Sequence, residues 1–124
     1  MRARGFTLIE LLFVLVIVAL LAGIVGPVLV NSIGNAREST LKEDLFVMRK
    51  AIDDYYADNG KYPAELVNLT DRRYLRRIPA DPLTQRNDTW VLVRVSSDDG
   101  EGGIVDVHSG SNAKASDGTA YRDW

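Results

Sequence analysis

Residues Leu11 to Val30 run for twenty positions without a charge, and one carboxylate, Glu10, stands immediately before them. At about 1.5 Å of rise per residue, such a run spans about 30 Å as a helix, the thickness of a bilayer core. Any fold open to this chain must begin with a helix of membrane length and build the rest from the residues after Val30. A carboxylate in apolar surroundings costs roughly 2.5 to 3.5 kcal/mol at a helix centre and less toward the interface, so Glu10 calls for a partner. Arg2 and Arg4 precede the run, and the positive-inside rule keeps that end cytoplasmic and sends the remainder across the membrane.

Gly5-Phe6-Thr7-Leu8-Ile9-Glu10 places a small residue, Phe, three further residues and Glu at fixed spacing directly before the apolar run. This junction resembles the class III leader of the type IV pilin-like superfamily. The resemblance implies that a membrane prepilin peptidase cleaves after Gly5 and that the new N-terminus, Phe6, is N-methylated. It also implies that Glu10 assists assembly by meeting the Phe6 amine of a neighbouring subunit. A buried carboxylate and ammonium are tolerable as a pair and expensive apart, which agrees with that role. An ordinary secretory signal also has a basic start and an apolar centre. Here the apolar run is too long, carries Glu10, and has a poor cleavage exit at Leu20-Leu21-Ala22. A plain membrane anchor accounts for the length but not for Gly5 or Glu10.

With 124 residues, the chain has room for one domain beyond the span. The organisation expected is a leader over 1–5, a transmembrane and assembly helix over 6–30, and a periplasmic globular domain over 31–124. Of 15 Lys and Arg and 17 Asp and Glu, setting aside Arg2, Arg4 and Glu10 leaves the exported part acidic by three charges. Nucleic-acid binding needs a concentrated positive surface, so no nucleic-acid partner is expected. There are no cysteines, so an exported domain this small needs another staple, a metal or filament packing.

Ile33, Leu41, Leu45, Met48 and Ile52, followed by Tyr55 or Tyr56, continue the apolar pattern as one helical stripe. The spacing predicts a single helix from about Phe6 to about Ala57, roughly 75 Å long. Gly23, Gly26 and Pro27 interrupt it, and proline removes a hydrogen bond, so a bend or loosened turn is expected there. Glycine and proline are also simply common in membrane helices. Asn59-Gly60 reads as the helix end. Thr70 or Asp71 is a candidate cap for a short second helix. Thr89 to Ser96 and Ile104 to His108 read as an antiparallel hairpin with a turn over Ser97 to Gly103. Ser109 to Trp124 reads as a loop closed by an aromatic anchor. The fold class is α+β: a long N-terminal helix, membrane-spanning in its first half, packed on a small antiparallel β-sheet.

Tyr55-Tyr56-Ala57-Asp58-Asn59-Gly60-Lys61-Tyr62-Pro63 and Tyr74-Leu75-Arg76-Arg77-Ile78-Pro79-Ala80-Asp81-Pro82 resemble the major pseudopilins of type II secretion. Leu83-Thr84 departs from the Trp-Gly usual there, and the terminal loop is shorter. The resemblance implies a pilin-like fold and a structural, non-enzymatic subunit of a secretion pseudopilus. Its implied partners are copies of itself, the prepilin peptidase, an inner-membrane assembly platform and minor pseudopilins. Its implied location is the inner membrane with a periplasmic filament. In this family the region of Pro27 unwinds locally when subunits pack, and the C-terminal loop binds calcium. The matching candidates are Asp117, Asp123 and Ser109, against the roughly six to eight oxygens that calcium takes. The other class of function is a type IV pilin or minor pilin-like subunit for adhesion or DNA uptake.

No catalytic set emerges from the sequence. His108 is the only histidine, so a His-based metal cluster is excluded and any triad would hang on that residue. Asp53 and Asp54 diverge by about 100° on a helix and cannot act as an acid–base pair. Gly100-Glu101-Gly102-Gly103 opens no helix and reads as a hairpin turn rather than a phosphate loop. Arg72, Arg73, Arg76 and Arg77 form the one basic cluster, which on a short helix would be a solvated face, a subunit contact or a DNA contact.

Overall fold

The computed structural model describes residues 3–96 and 102–124, in two compact units, Met1–Gly34 and Asn35–Trp124. Helix α1, Leu8–Asn59, begins in the first and ends in the second. Within the first unit every helical side chain is exposed, from Leu8 through Val30. A surface that is apolar all round has no inner face to bury against its own chain. Pro27 lies inside the helix, which runs on through it, so the expected loosened turn does not break the helix in this single chain. A methyl group on Gly23 or Gly26 would meet nothing, so neither glycine is required by packing within the chain.

The second unit is organised by one stripe of α1. Leu41, Leu45, Met48, Ala51, Ile52 and Tyr55 are all buried, at steps of four, three, three, one and three residues. Glu43, Phe46, Asp53 and Asp54 on other faces are exposed. The helix ends where the sequence predicts: Gly60, at φ 71°, donates its amide to the Tyr56 carbonyl at 2.8 Å. That left-handed cap is available to glycine at little steric cost.

A short helix, α2 (Val67–Asp71), follows, with Leu69 fully buried. It lies earlier than a cap at Thr70 or Asp71 predicts. Thr70 is inside it and turns its hydroxyl back to the Val67 carbonyl at 2.8 Å. The amides of Tyr74 and Leu75 both close on the Leu69 carbonyl at 2.8 and 3.1 Å, and Arg73 takes φ 64°, so the chain stops being helical there. The four arginines therefore occupy turns rather than a helix face.

Strands β1 (Val91–Arg94) and β2 (Ile104–His108) pair antiparallel, Val91 with His108, Leu92 with Val107 and Val93 with Asp106. An irregularity between Val93 and Arg94 shifts Arg94 onto Ile104. The expected turn falls largely on 97–101, outside the described residues. Ile104 and Val107 are fully buried and join the α1 stripe, Leu69, Leu75 and Trp90 in one core. Pro63, also buried, accepts the Ile104 amide at 2.8 Å and so occupies part of the β2 edge. Gly110 follows the strand where a Cβ would come within 2.0 Å of the Thr89 carbonyl oxygen, a space only glycine fits.

Truncating a fully buried aliphatic side chain typically costs about 2–5 kcal/mol. Ile52→Ala should lower the stability of the full chain in detergent by that amount. Phe46→Ala, at a position 65% exposed on the same helix, should change it by less than about 0.5 kcal/mol. Urea unfolding followed by circular dichroism measures both.

Candidate functional site

The N-terminal junction is built by a cap. Thr7 precedes the first helical residue, its hydroxyl accepts the Glu10 amide at 3.2 Å, and its carbonyl accepts the Leu11 amide at 3.1 Å. Thr7-x-x-Glu10 is the capping-box spacing, a signal that the sequence carried. Only the Thr7 half is formed; the Glu10 carboxylate accepts no hydrogen bond among the described residues. It projects from the first turn, where the aligned peptide dipoles favour a negative charge by about 0.3–1 kcal/mol. Gly5 and Phe6 precede the helix in non-helical backbone, and Phe6 is 86% exposed. The peptide bond between them is thus accessible, and Glu10 remains available to an outside cation.

The C-terminal segment carries the second group of candidates. Asp117 sits in an exposed turn closed by Gly118 at φ 87°, and its Oδ1 accepts the Thr119 amide and hydroxyl at 3.0 and 2.6 Å. Those two bonds, hydroxyl first, hold its pKa below the usual carboxylate value. Asp123 is exposed on the 3-10 turn Tyr121–Asp123. Ser109 is fully buried, and its hydroxyl donates to Asp81 Oδ2 at 2.5 Å. Lys42, Arg49 and Lys114 share with Asp117 and Asp123 the lining of one cleft. No group of three or more His, Cys, Asp or Glu placed to hold a metal occurs among the described residues. Calcium wants several free oxygens around one point. With Ser109 spent, Asp117 closed on Thr119 and three cations beside the carboxylates, these donors do not fit it.

The expected aromatic anchor is present but shared. Tyr121 is the buried ring, and half-buried Trp124 stacks edge-on against it at 5.0 Å, with its indole N–H donated to Thr119 Oγ1 at 2.7 Å. Asp81, which the sequence offers only within the segment that resembles the major pseudopilins, is fully buried. It accepts the Leu83 amide at 2.9 Å and the Gly110 amide at 3.2 Å besides Ser109. It ties the proline-rich turn to the start of the C-terminal segment. Asp44 on α1 feels it: burial first, then the Asp81 and Glu43 charges, push the Asp44 pKa up.

The other candidates lie elsewhere in the globular unit. Arg72 donates to Asn59 Oδ1 at 2.8 Å and lies over the Tyr55 ring, while Arg76 and Arg77 line a polar cleft with Arg86 and Asp88. His108 Nε2 stands 3.5 Å from Asp106 Oδ2, and its buried Nδ1 has no hydrogen-bond partner among the described residues. Asp54 pairs with Lys50 at 2.7 Å, and Asp53 is exposed.

An apolar helix behind a Gly-Phe-x-x-x-Glu junction, continuing into a stripe that carries a small antiparallel sheet, defines a pilin-like protein. Residues 1–26 match the family described as the prokaryotic N-terminal methylation motif. The type II secretion system core protein G of Escherichia coli K12 is 31% identical over 124 residues, covering 87% of this chain and 81% of the relative. The core protein G of Klebsiella pneumoniae is 35% identical over 97 residues, covering 65% of this chain and 69% of the relative. That of Pseudomonas aeruginosa is 31% identical over 97 residues, covering 65% and 68%. No solved structure matches the chain. With similarity of that extent running from the leader junction into the globular unit, the chain belongs to the type II secretion core protein G family, the major pseudopilins.

The raised pKa of Asp44 gives a pH signature. A carboxyl whose folded pKa exceeds its unfolded one destabilises the fold as pH rises through that window, and the penalty persists above it. Asp44→Asn should therefore raise the unfolding midpoint at about pH 7, and the gain should vanish near pH 3, where the carboxyl is protonated in both states. Thermal unfolding at the two pH values measures the difference.

Proposed function

We propose that this pseudopilus subunit is cleaved between Gly5 and Phe6 by a prepilin peptidase, methylated on the Phe6 amine, and polymerised through its N-terminal helix to drive protein export. The observation that carries the reading is the single carboxylate Glu10 on the first turn of an exposed apolar helix, four residues after Phe6. Such a surface needs lipid before assembly and other copies of itself afterwards. The carboxylate needs a cation in both settings, and cleavage creates one at the Phe6 amine of a neighbour. Pro27 supplies a helix position with one hydrogen bond missing, where local unwinding on packing costs least.

The partners implied are other copies, the prepilin peptidase, the inner-membrane assembly platform and the minor pseudopilins. Arg2 and Arg4 favour a cytoplasmic N-terminus with the unit from Asn35 onward in the periplasm. The name shared by the relatives favours secretion over adhesion or DNA uptake. A structural role, rather than an enzymatic one, is in keeping with that family.

Mass spectrometry of the mature protein should find a chain that begins with methyl-Phe6. Glu10→Val should insert at least as well as wild type, since it removes the cost of the charge, yet yield few filaments by electron microscopy. A mature chain beginning near Gly23, or normal filaments from Glu10→Val, would contradict the reading.

A further inference from the structure

The C-terminal segment has little to hold it by itself. From Ser109 onward its regular structure is one bridge between Lys114 and Ala120 and one 3-10 turn, and the chain contains no cysteine. Helix α1 reaches it at two points. Glu38 accepts the Ser116 amide at 2.7 Å, the Ser116 hydroxyl at 2.9 Å and the Tyr121 hydroxyl at 2.9 Å. Arg49 donates Nε to Asp106 Oδ1 at 2.7 Å, and Nη2 to the Val107 carbonyl at 3.0 Å and to the main-chain oxygen of Trp124 at 2.5 Å. At 3.6 residues per turn, positions 38 and 49 are about three turns apart on nearly the same face.

The two groups thus bracket the Tyr121–Trp124 pair, with the Lys42 ammonium 4.9 Å from the Trp124 ring centroid between them in sequence. Hydrogen bonds to charged groups are the stronger kind, and the Arg fork holds two directions at once. Six such bonds converge on the segment and its neighbouring strand, while the oxygens that would serve a cation are committed elsewhere or flanked by positive charge.

We propose that Glu38 and Arg49 form a clasp that orders the C-terminal segment without a bound cation, in the role that the family resemblance gives to calcium. The clasp is a property of the folded unit and stands independently of the filament reading. Its consequence is a segment whose order depends on two side chains of the helix and is indifferent to calcium.

Hydrogen–deuterium exchange of the full chain in detergent, read by mass spectrometry on peptides covering 113–124, tests this in millimolar calcium and in excess chelator. Wild-type protection should be the same in both buffers. Glu38→Ala and Arg49→Ala should each speed exchange in 113–124 by about tenfold or more, as expected for losing charge-assisted bonds, with 48–59 still protected. Should either variant fail to fold, Tyr121→Phe removes only a hydroxyl from the clasp and should raise exchange in the same peptide. Wild-type protection that falls on chelation, or wild-type exchange in Tyr121→Phe and Glu38→Ala, would overturn the proposal.

Discussion

The globular unit depends on one burial event: the α1 stripe from Leu41 to Tyr55 closing against Ile104 and Val107 of β2 and Leu69 of α2. A two-stranded hairpin is marginal by itself in water, and a five-residue helix is too short to stand alone. Both share one core with the helix that they cover. Each fully buried Leu, Ile, Met or Val contributes about 1.5–3 kcal/mol, so the shared core outweighs any one polar contact around it. The polar contacts fix which way the pieces sit on the stripe: Asp81 gathers the proline turn and Ser109, and Glu38 and Arg49 gather the segment after it.

The same helix meets two different demands. Between Leu8 and Val30 it offers an unbroken apolar surface and a single carboxylate at its first turn. Beyond Asn35 it turns one stripe inward and charges the rest. The acidic residues at the two places work differently. Glu38 finds its donors within the folded chain, and Ser116 and Tyr121 hold its pKa below the ordinary value. Glu10 finds none among the described residues, and the proposed partner is the Phe6 amine of a neighbouring copy. On the proposed reading, assembly and folding use different stretches of one helix.

Much of this was legible in the sequence, for physical reasons. The membrane-length run, the junction Gly5 to Glu10, the 3–4 stripe and the Asn59-Gly60 end are local patterns with strong periodicity, and each reads directly. The hairpin strands were placed, though the first is shorter than expected, Val91–Arg94, with the Val95 amide still donating to the Gly103 carbonyl beyond its end. The second helix was put too late because Thr70 fits a cap by type while its hydroxyl turns back along the helix to the Val67 carbonyl. Glu38 and Arg49 were missed because their partners lie 57 to 83 residues away in the chain. The signal for Glu38 was present: it sits three residues before Leu41, where the buried stripe would continue, and a charge on that line needs partners. Asp81 gave less warning, since an Asp before proline in a turn is common on surfaces, and only the fold shows it fully buried.

The central claim is that copies of this chain assemble through the apolar first half of α1, which carries Glu10 in its first turn. The chain has no cysteine, so a variant carrying both Leu8→Cys and Leu12→Cys, expressed in cells with the assembly machinery, reports helix-to-helix contact between copies cleanly. Oxidative crosslinking should give a ladder of disulfide-linked multimers that disappears when Glu10→Val is added to the same chain. No crosslinked species in the Glu10 background, or a ladder unchanged by the loss of Glu10, would contradict the account.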